Sequence, residues 1–138
     1  MPKRRRGAAR SAFLRRRRAD DRFERLVERA LDAIPQPFRA ALDEVAIVIE
    51  EDATADQLAI SGLGPDDALY GLYEGTPRTE WGADMVPFPN KISLFRIPLE
   101  EDFPDPDELA DEVRITVVHE LAHHLGIDDD RLDELGLE

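Results

Sequence analysis

Apolar positions change period along this chain, and the changes mark out its elements. From Asp20 onward, Phe23, Leu26, Val27, Ala30, Leu31 and Ile34 recur at three- and four-residue spacing. That spacing predicts a helix capped by Asp20 or Asp21 and stopped by Pro35. After Pro35-Gln36-Pro37, Phe38 to Leu42 reads as a short helical turn. Glu44 to Glu50 encloses Val45-Ala46-Ile47-Val48-Ile49, a short apolar run rich in β-branched residues, which predicts a buried strand. Residues 51–68 are acidic and glycine-punctuated, a loop with one helical turn near Ala55 to Leu58. Leu69 to Tyr73 is the second predicted strand, ended by Glu74-Gly75-Thr76-Pro77. Residues 78–90, with Trp81, Gly82, Pro87 and Pro89, read as an extended irregular loop. Lys91 to Ile97 is the third strand, with Pro98 closing it and marking a sheet edge.

Beyond it, Leu99 to Pro106 reads as a proline-broken acidic loop, after which Asp107 caps a helix from Glu108 to about Leu125. Leu109, Ala110, Val113, Val117, Leu121 and Ala122 give that helix its apolar face. Its Ile115-Thr116-Val117-Val118 segment has weak helical propensity and is tolerated only if buried against a sheet. Gly126 is the expected C-cap. Asp130 to Leu137 forms a last short helix with Leu132 and Leu135 inward. The order of elements predicts an α+β fold with a small sheet.

A length of 138 residues suits one domain with a hydrophobic core. The chain has no cysteine, which excludes disulfides, iron–sulfur clusters and thiolate metal sites. No apolar run is long enough to cross a bilayer, and the N-terminus lacks the apolar centre of a signal peptide. The expected setting is cytoplasmic, without membrane attachment. The net charge of -13 is unevenly spread: residues 1–18 hold nine Lys or Arg and no acid. Residues 19–138 form an acidic body of net charge -22, which repels nucleic acid. Residues 1–18 are read as a disordered basic arm, of which residues 3–18 could bind nucleic acid weakly, and 19–138 as the folded domain.

Chemistry concentrates in Val117-Val118-His119-Glu120-Leu121-Ala122-His123-His124-Leu125-Gly126-Ile127-Asp128-Asp129. His119 and His123, four apart on a helix, share one face and can converge on one Zn2+. Glu120 stands beside the pair, where its carboxylate can act as general base toward an attacking water. Gly126 lets the chain reverse and bring Asp129 to the same ion as an oxygen ligand. Asp128, Asp130, Glu74, Asp84 or an acid of residues 101–112 are the alternatives for that third place. Two nitrogens and one oxygen leave an open position, as a catalytic site requires. His124 faces about 100° away from His123 and is read as facing water. Tyr70, Tyr73, Arg96 and His124 are candidates for stabilising an oxyanion. Tyr70, Tyr73, Trp81 and Phe88 are candidate cleft walls, with Phe95 and at least one tyrosine assigned to the core.

The run His119-Glu120-x-x-His123-x-x-Gly126-x-x-Asp129 resembles the extended zinc motif of metzincin-type peptidases whose third ligand is Asp. Residues 69–77 and 91–96, together with Thr116-Val117-Val118-His119-Glu120-Leu121-Ala122-His123-His124, are similar to the small bacterial zincin-like metallopeptidase domains. The likeness runs over about residues 20–137. It implies a minimal zincin-like α+β fold, a three- to four-stranded sheet packed on the motif helix. It also implies one Zn2+ held by His119, His123 and Asp129, with Glu120 as base. Metzincins place a methionine turn beneath the metal, downstream of the third ligand. None of the nine residues after Asp129 is Met, so the base of the site is expected from Leu132 and Leu135 instead.

The expected activity is peptide-bond hydrolysis. The strand Lys91 to Ile97 would offer its edge to an extended peptide or protein substrate. The acidic body favours cationic substrates. Two other readings compete: a zinc-binding protein without peptidase activity that acts through protein partners, and a nucleic-acid adaptor working through the basic arm.

Overall fold

Phe23, Val27, Ala30 and Ile34 all point into one core, where each is at most 4% exposed. The computed structural model describes residues 21–75 and 90–134, with the side chains of Asp129 and Asp133 outside that description. The basic arm, Trp81, Asp84, Phe88 and Leu135 therefore lie outside the described residues. Helix α1, residues 21–32, carries the first three core positions, and Ile34 follows in the turn. A short helix α2, Phe38–Ala41, and a 3-10 turn, Leu42–Glu44, lead into strand β1, Ala46–Glu50. Helix α3, Ala55–Ile60, begins with a capping box in which Thr54 Oγ1 accepts from the Gln57 N–H and Gln57 accepts from the Thr54 N–H.

Strands β2, Gly71–Glu74, and β3, Lys91–Phe95, complete a mixed sheet in the order β1-β3-β2. β1 runs parallel to β3, with Ile47 opposite Ile92 and Ile49 opposite Leu94. β2 runs antiparallel to β3, with Gly71 opposite Leu94 and Tyr73 opposite Ile92. β3 is thus the central strand, not the expected edge. Its Ile92, Ser93, Leu94 and Phe95 are all 0% exposed, because both of its faces are covered. Among the described residues β1 and β2 are the outer strands, so β1, expected to be buried, is exposed at Ala46 and only partly buried from Ile47 to Glu50.

Pro98 does not end a strand beside solvent. It occupies the first turn of helix α4, Arg96–Asp102, where a missing N–H costs no intrahelical bond. The expected acidic loop from Leu99 is therefore helical as far as Asp102, with Pro98 and Leu99 buried.

Helix α5, Pro106–Leu125, starts two residues earlier than the sequence suggested. Asp105, rather than Asp107, is its N-cap: Asp105 Oδ2 accepts from the Glu108 N–H at 3.0 Å, and Pro106 fits the first helical position. Asp107 instead pairs with Arg29 at 2.9 Å. Thr116, Val117 and Val118 are buried where α5 packs on β2 and β3. Burial of each valine is worth roughly 1.5–3 kcal/mol, which outweighs a propensity deficit of a few tenths.

At the far end, Gly126 takes φ 74°, ψ 24°. The Ile127 N–H reaches back to the Ala122 carbonyl at 2.8 Å, closing a Schellman turn. Helix α6, Asp129–Glu134, follows at once, and its Leu132 is 1% exposed against the core beneath α5. Among the described residues no helix is long and apolar enough to cross a membrane.

Candidate metal centre

The imidazoles of His119 and His123 stand one helical turn apart on α5, with ring centroids 5.7 Å apart and planes inclined by 70°. His123 is half-exposed beside the Gly126 turn, while Glu120 between them is largely buried. Glu120 Oε2 accepts a hydrogen bond from the backbone N–H of Tyr73 at 3.1 Å. The same oxygen lies 3.1 Å from His123 Nδ1. Two partners thus fix one carboxylate oxygen, and Glu120 lines a cleft together with His119. The Tyr73 N–H also belongs to the outer edge of β2, so part of that edge is satisfied by a side chain of α5 instead of a further strand.

β2 can lie this close to α5 because of Gly71. A Cβ there would fall 2.6 Å from Thr116 Cγ2 and 3.2 Å from the Ser93 carbonyl oxygen. The cleft between the two elements has a volume of about 260 Å3 and runs from Glu112 to Glu120. Leu69, Tyr70 and Ile115 supply apolar wall, and Thr116 and His119 also line it. Tyr70 donates its hydroxyl to Asp102 and packs edge-on against Phe103. That hydrogen bond, then burial, then the charges of Asp102 and Glu112 push the Tyr70 phenol up to about 12. Burial alone raises the Glu112 carboxyl above its ordinary range.

His124 does not face water. It is 0% exposed, with Nδ1 2.9 Å from the Tyr73 hydroxyl and Nε2 3.4 Å from Glu44 Oε2. The Tyr73 hydroxyl is also 3.3 Å from Asn90 Oδ1. The 100° rotation that carries His124 off the metal face turns it inward because α5 is covered on more than one side. Nothing in the spacing along the chain marks Glu44 or Asn90 as partners, since both arrive from distant segments.

The other sequence candidates separate clearly. Arg96 is held between Glu100, 2.6 Å, and Glu51, 3.1 Å, away from the cleft wall. Burial works against its charge, but these two carboxylates outweigh that and hold the guanidinium above its ordinary value. Glu74 receives the Gln57 amide at 3.2 Å. Asp102 accepts from Tyr70, Asp105 caps α5, and Asp107 pairs with Arg29. Asp128 Oδ1 accepts from the Arg131 N–H at 2.9 Å, which makes it the N-cap of α6. Asp129 is described as the first residue of that helix. Among the described residues, no three His, Asp or Glu side chains gather as a metal-binding group. The donor chemistry nonetheless suits zinc: two neighbouring imidazoles on one helix face, a carboxylate beside them, and a left-handed turn at Gly126 just beyond them.

No curated protein matches the chain. The family model for zincin-like metallopeptidases matches residues 42–137, which span the sheet, α5 with its motif, and α6. The chain belongs to the zincin-like metallopeptidase family.

Proposed function

We propose that this chain is a zinc-dependent peptidase in which His119, His123 and Asp129 hold one Zn2+ and Glu120 is the general base. The observation that carries this reading is the setting of Glu120: one carboxylate oxygen fixed by the Tyr73 N–H and His123 Nδ1, next to His119 at a cleft. When bound, zinc supplies Lewis acidity, polarising a carbonyl and acidifying a water. Glu120 takes a proton from the attacking water with its remaining oxygen and returns it to the leaving amine. The Tyr73 N–H keeps that carboxylate from rotating away, so its orientation is set before substrate arrives. Asp129 is favoured over Asp128 because the Asp128 carboxylate is engaged in capping α6.

A digest of a proteome-derived peptide library by the zinc-loaded chain, compared with Glu120→Gln, tests the reading. Cleavage by the wild type alone is expected. Silence from both favours a zinc-binding protein that works through protein partners. Salt-sensitive RNA or DNA binding that is lost when residues 3–18 are removed favours the adaptor.

A further inference from the structure

The cleft beside the motif does not end at His119. It continues along α5 by Ile115 and Thr116 to Glu112, with Tyr70 and Leu69 facing it from the β2 side. Glu112 lies seven residues before His119 on the same helix, a rise of roughly 10 Å. An extended peptide advances about 3.3–3.4 Å per residue, so a substrate in the cleft reaches Glu112 two to three residues from the bond being cut. Among the described residues no hydrogen bond or ion pair engages Glu112, and no Lys or Arg lines the cleft. A carboxylate placed between apolar walls loses hydration without gaining a partner, which is why its proton affinity rises. A cationic side chain seated in the cleft would restore that loss.

The walls suit the same visitor. Leu69 and Ile115 give apolar surface for the methylene stem of a lysine or arginine, and the Tyr70 ring lines the same cleft. We infer that Glu112 forms a subsite for a basic substrate side chain, two to three residues from the scissile bond, and makes this chain selective for cationic peptides. The inference rests on the peptidase reading above for the position of the scissile bond, but the subsite itself binds whether or not the bond is cut.

The test uses the full zinc-loaded chain and pairs of peptides that differ only by arginine or citrulline at positions two and three from the cut, on either side. Wild type should prefer the arginine peptide by about tenfold in kcat/KM, with the difference in KM, as for a partly buried charge-assisted contact. Glu112→Gln should bring the ratio near one, and Glu112→Arg should favour a peptide with glutamate at that place. Asp111→Asn removes the same charge from the exposed neighbouring position and should keep the preference. Binding of the same peptides to Glu120→Gln, measured by calorimetry, gives a readout without turnover, and there too the preference should vanish on adding Glu112→Gln. An undiminished preference in Glu112→Gln, or equal binding of both peptides to Glu120→Gln, overturns the subsite while leaving the peptidase reading intact. If wild type cuts no peptide but Glu120→Gln binds the arginine peptide through Glu112, the peptidase reading fails and the subsite stands. No binding and no cleavage overturns both.

Discussion

Tyr73 and His124, 51 residues apart, meet with the phenol oxygen 2.9 Å from Nδ1 and the two rings edge to face. The contact ties β2 to the buried side of α5, while the backbone of the same tyrosine holds Glu120 on the cleft side. One residue of an edge strand thus secures both flanks of the motif helix. The Tyr73→Phe and His124→Leu substitutions should each destabilise the fold by about 1–3 kcal/mol, because each leaves a buried polar partner behind. The double variant should lose less than the sum, with a coupling of about 0.5 kcal/mol or more. Urea unfolding of the four proteins measures this; strictly additive losses would show that the pair does not interact.

Gly71 sets how near β2 comes to α5. The Gly71→Ala methyl would have to displace Thr116 Cγ2 and crowd the Ser93 carbonyl, which overpacks a layer with no room to give. A loss of about 1–3 kcal/mol is expected. Adding Thr116→Ser, which removes the methyl it collides with, should recover part of it. Thermal unfolding decides, and a Gly71→Ala protein as stable as wild type would remove close packing as the reason for this glycine.

Much of this arrangement is legible in the sequence, and the illegible parts share a cause. Helix α1, the existence of a strand at Ala46–Glu50, the Gly126 cap and the motif helix follow from local periodicity and capping chemistry, though that strand, expected to be buried, is an outer one and only partly buried. Strand order does not follow from such patterns. Lys91–Phe95 looks like an edge because Pro98 is near, yet that proline serves the first turn of α4 and the strand is central. His124 looks solvent-facing when only its angle from His123 is counted. Its inward setting depends on Glu44, Tyr73 and Asn90, which arrive from three other segments. Glu112 carries no local signal at all, since its meaning comes from the cleft that β2 closes over it.

Three consecutive acids follow the Gly126 turn, and their roles should separate experimentally. Asp128→Ala removes the cap of α6 and should cost about 1 kcal/mol of stability, while Asp128→Asn, which can still cap, should cost less. Asp129→Ala should chiefly lower zinc content after dialysis, with Asp130→Ala close to wild type in both respects. Atomic absorption beside thermal unfolding makes the comparison. Equal zinc content in the Asp128, Asp129 and Asp130 variants would exclude Asp129 as third ligand, and His119→Ala or His123→Ala should abolish binding altogether.

Tyr70 should titrate late. Its phenol stands at about 12 against an ordinary 10.0, chiefly through the hydrogen bond to Asp102. A folded value above the unfolded one means that the stability from this group is complete below pH 10 and is lost as pH rises through about 12. In the difference between the alkaline phenolate titrations of wild type and Tyr70→Phe, the missing transition should lie near that value. Asp102→Asn should move it down. A Tyr70 transition at the ordinary value in the folded chain would mean that Asp102 does not hold the hydroxyl in solution.

Glu112, an acid like Tyr70, gives the same sign of linkage. Its carboxyl is raised above 4.5 by burial, so the folded chain holds that proton more tightly than the unfolded chain does. The stabilisation is therefore present below about pH 4.5 and is lost as pH rises through the higher folded value; at neutral pH the ionised group is a burden. Glu112→Gln should accordingly stabilise the peptide-free protein at neutral pH, by no more than about 0.5 kcal/mol for a half-buried site, and give no gain in acid. A cationic peptide should reverse the order, because it stabilises wild type by binding and the variant less. Thermal unfolding of both proteins at acid and neutral pH, with and without the arginine peptide, reads all of these effects. Equal stability of the two proteins at both pH values would show that the Glu112 carboxylate is fully hydrated, and the cleft would then have no desolvated charge to offer a basic side chain.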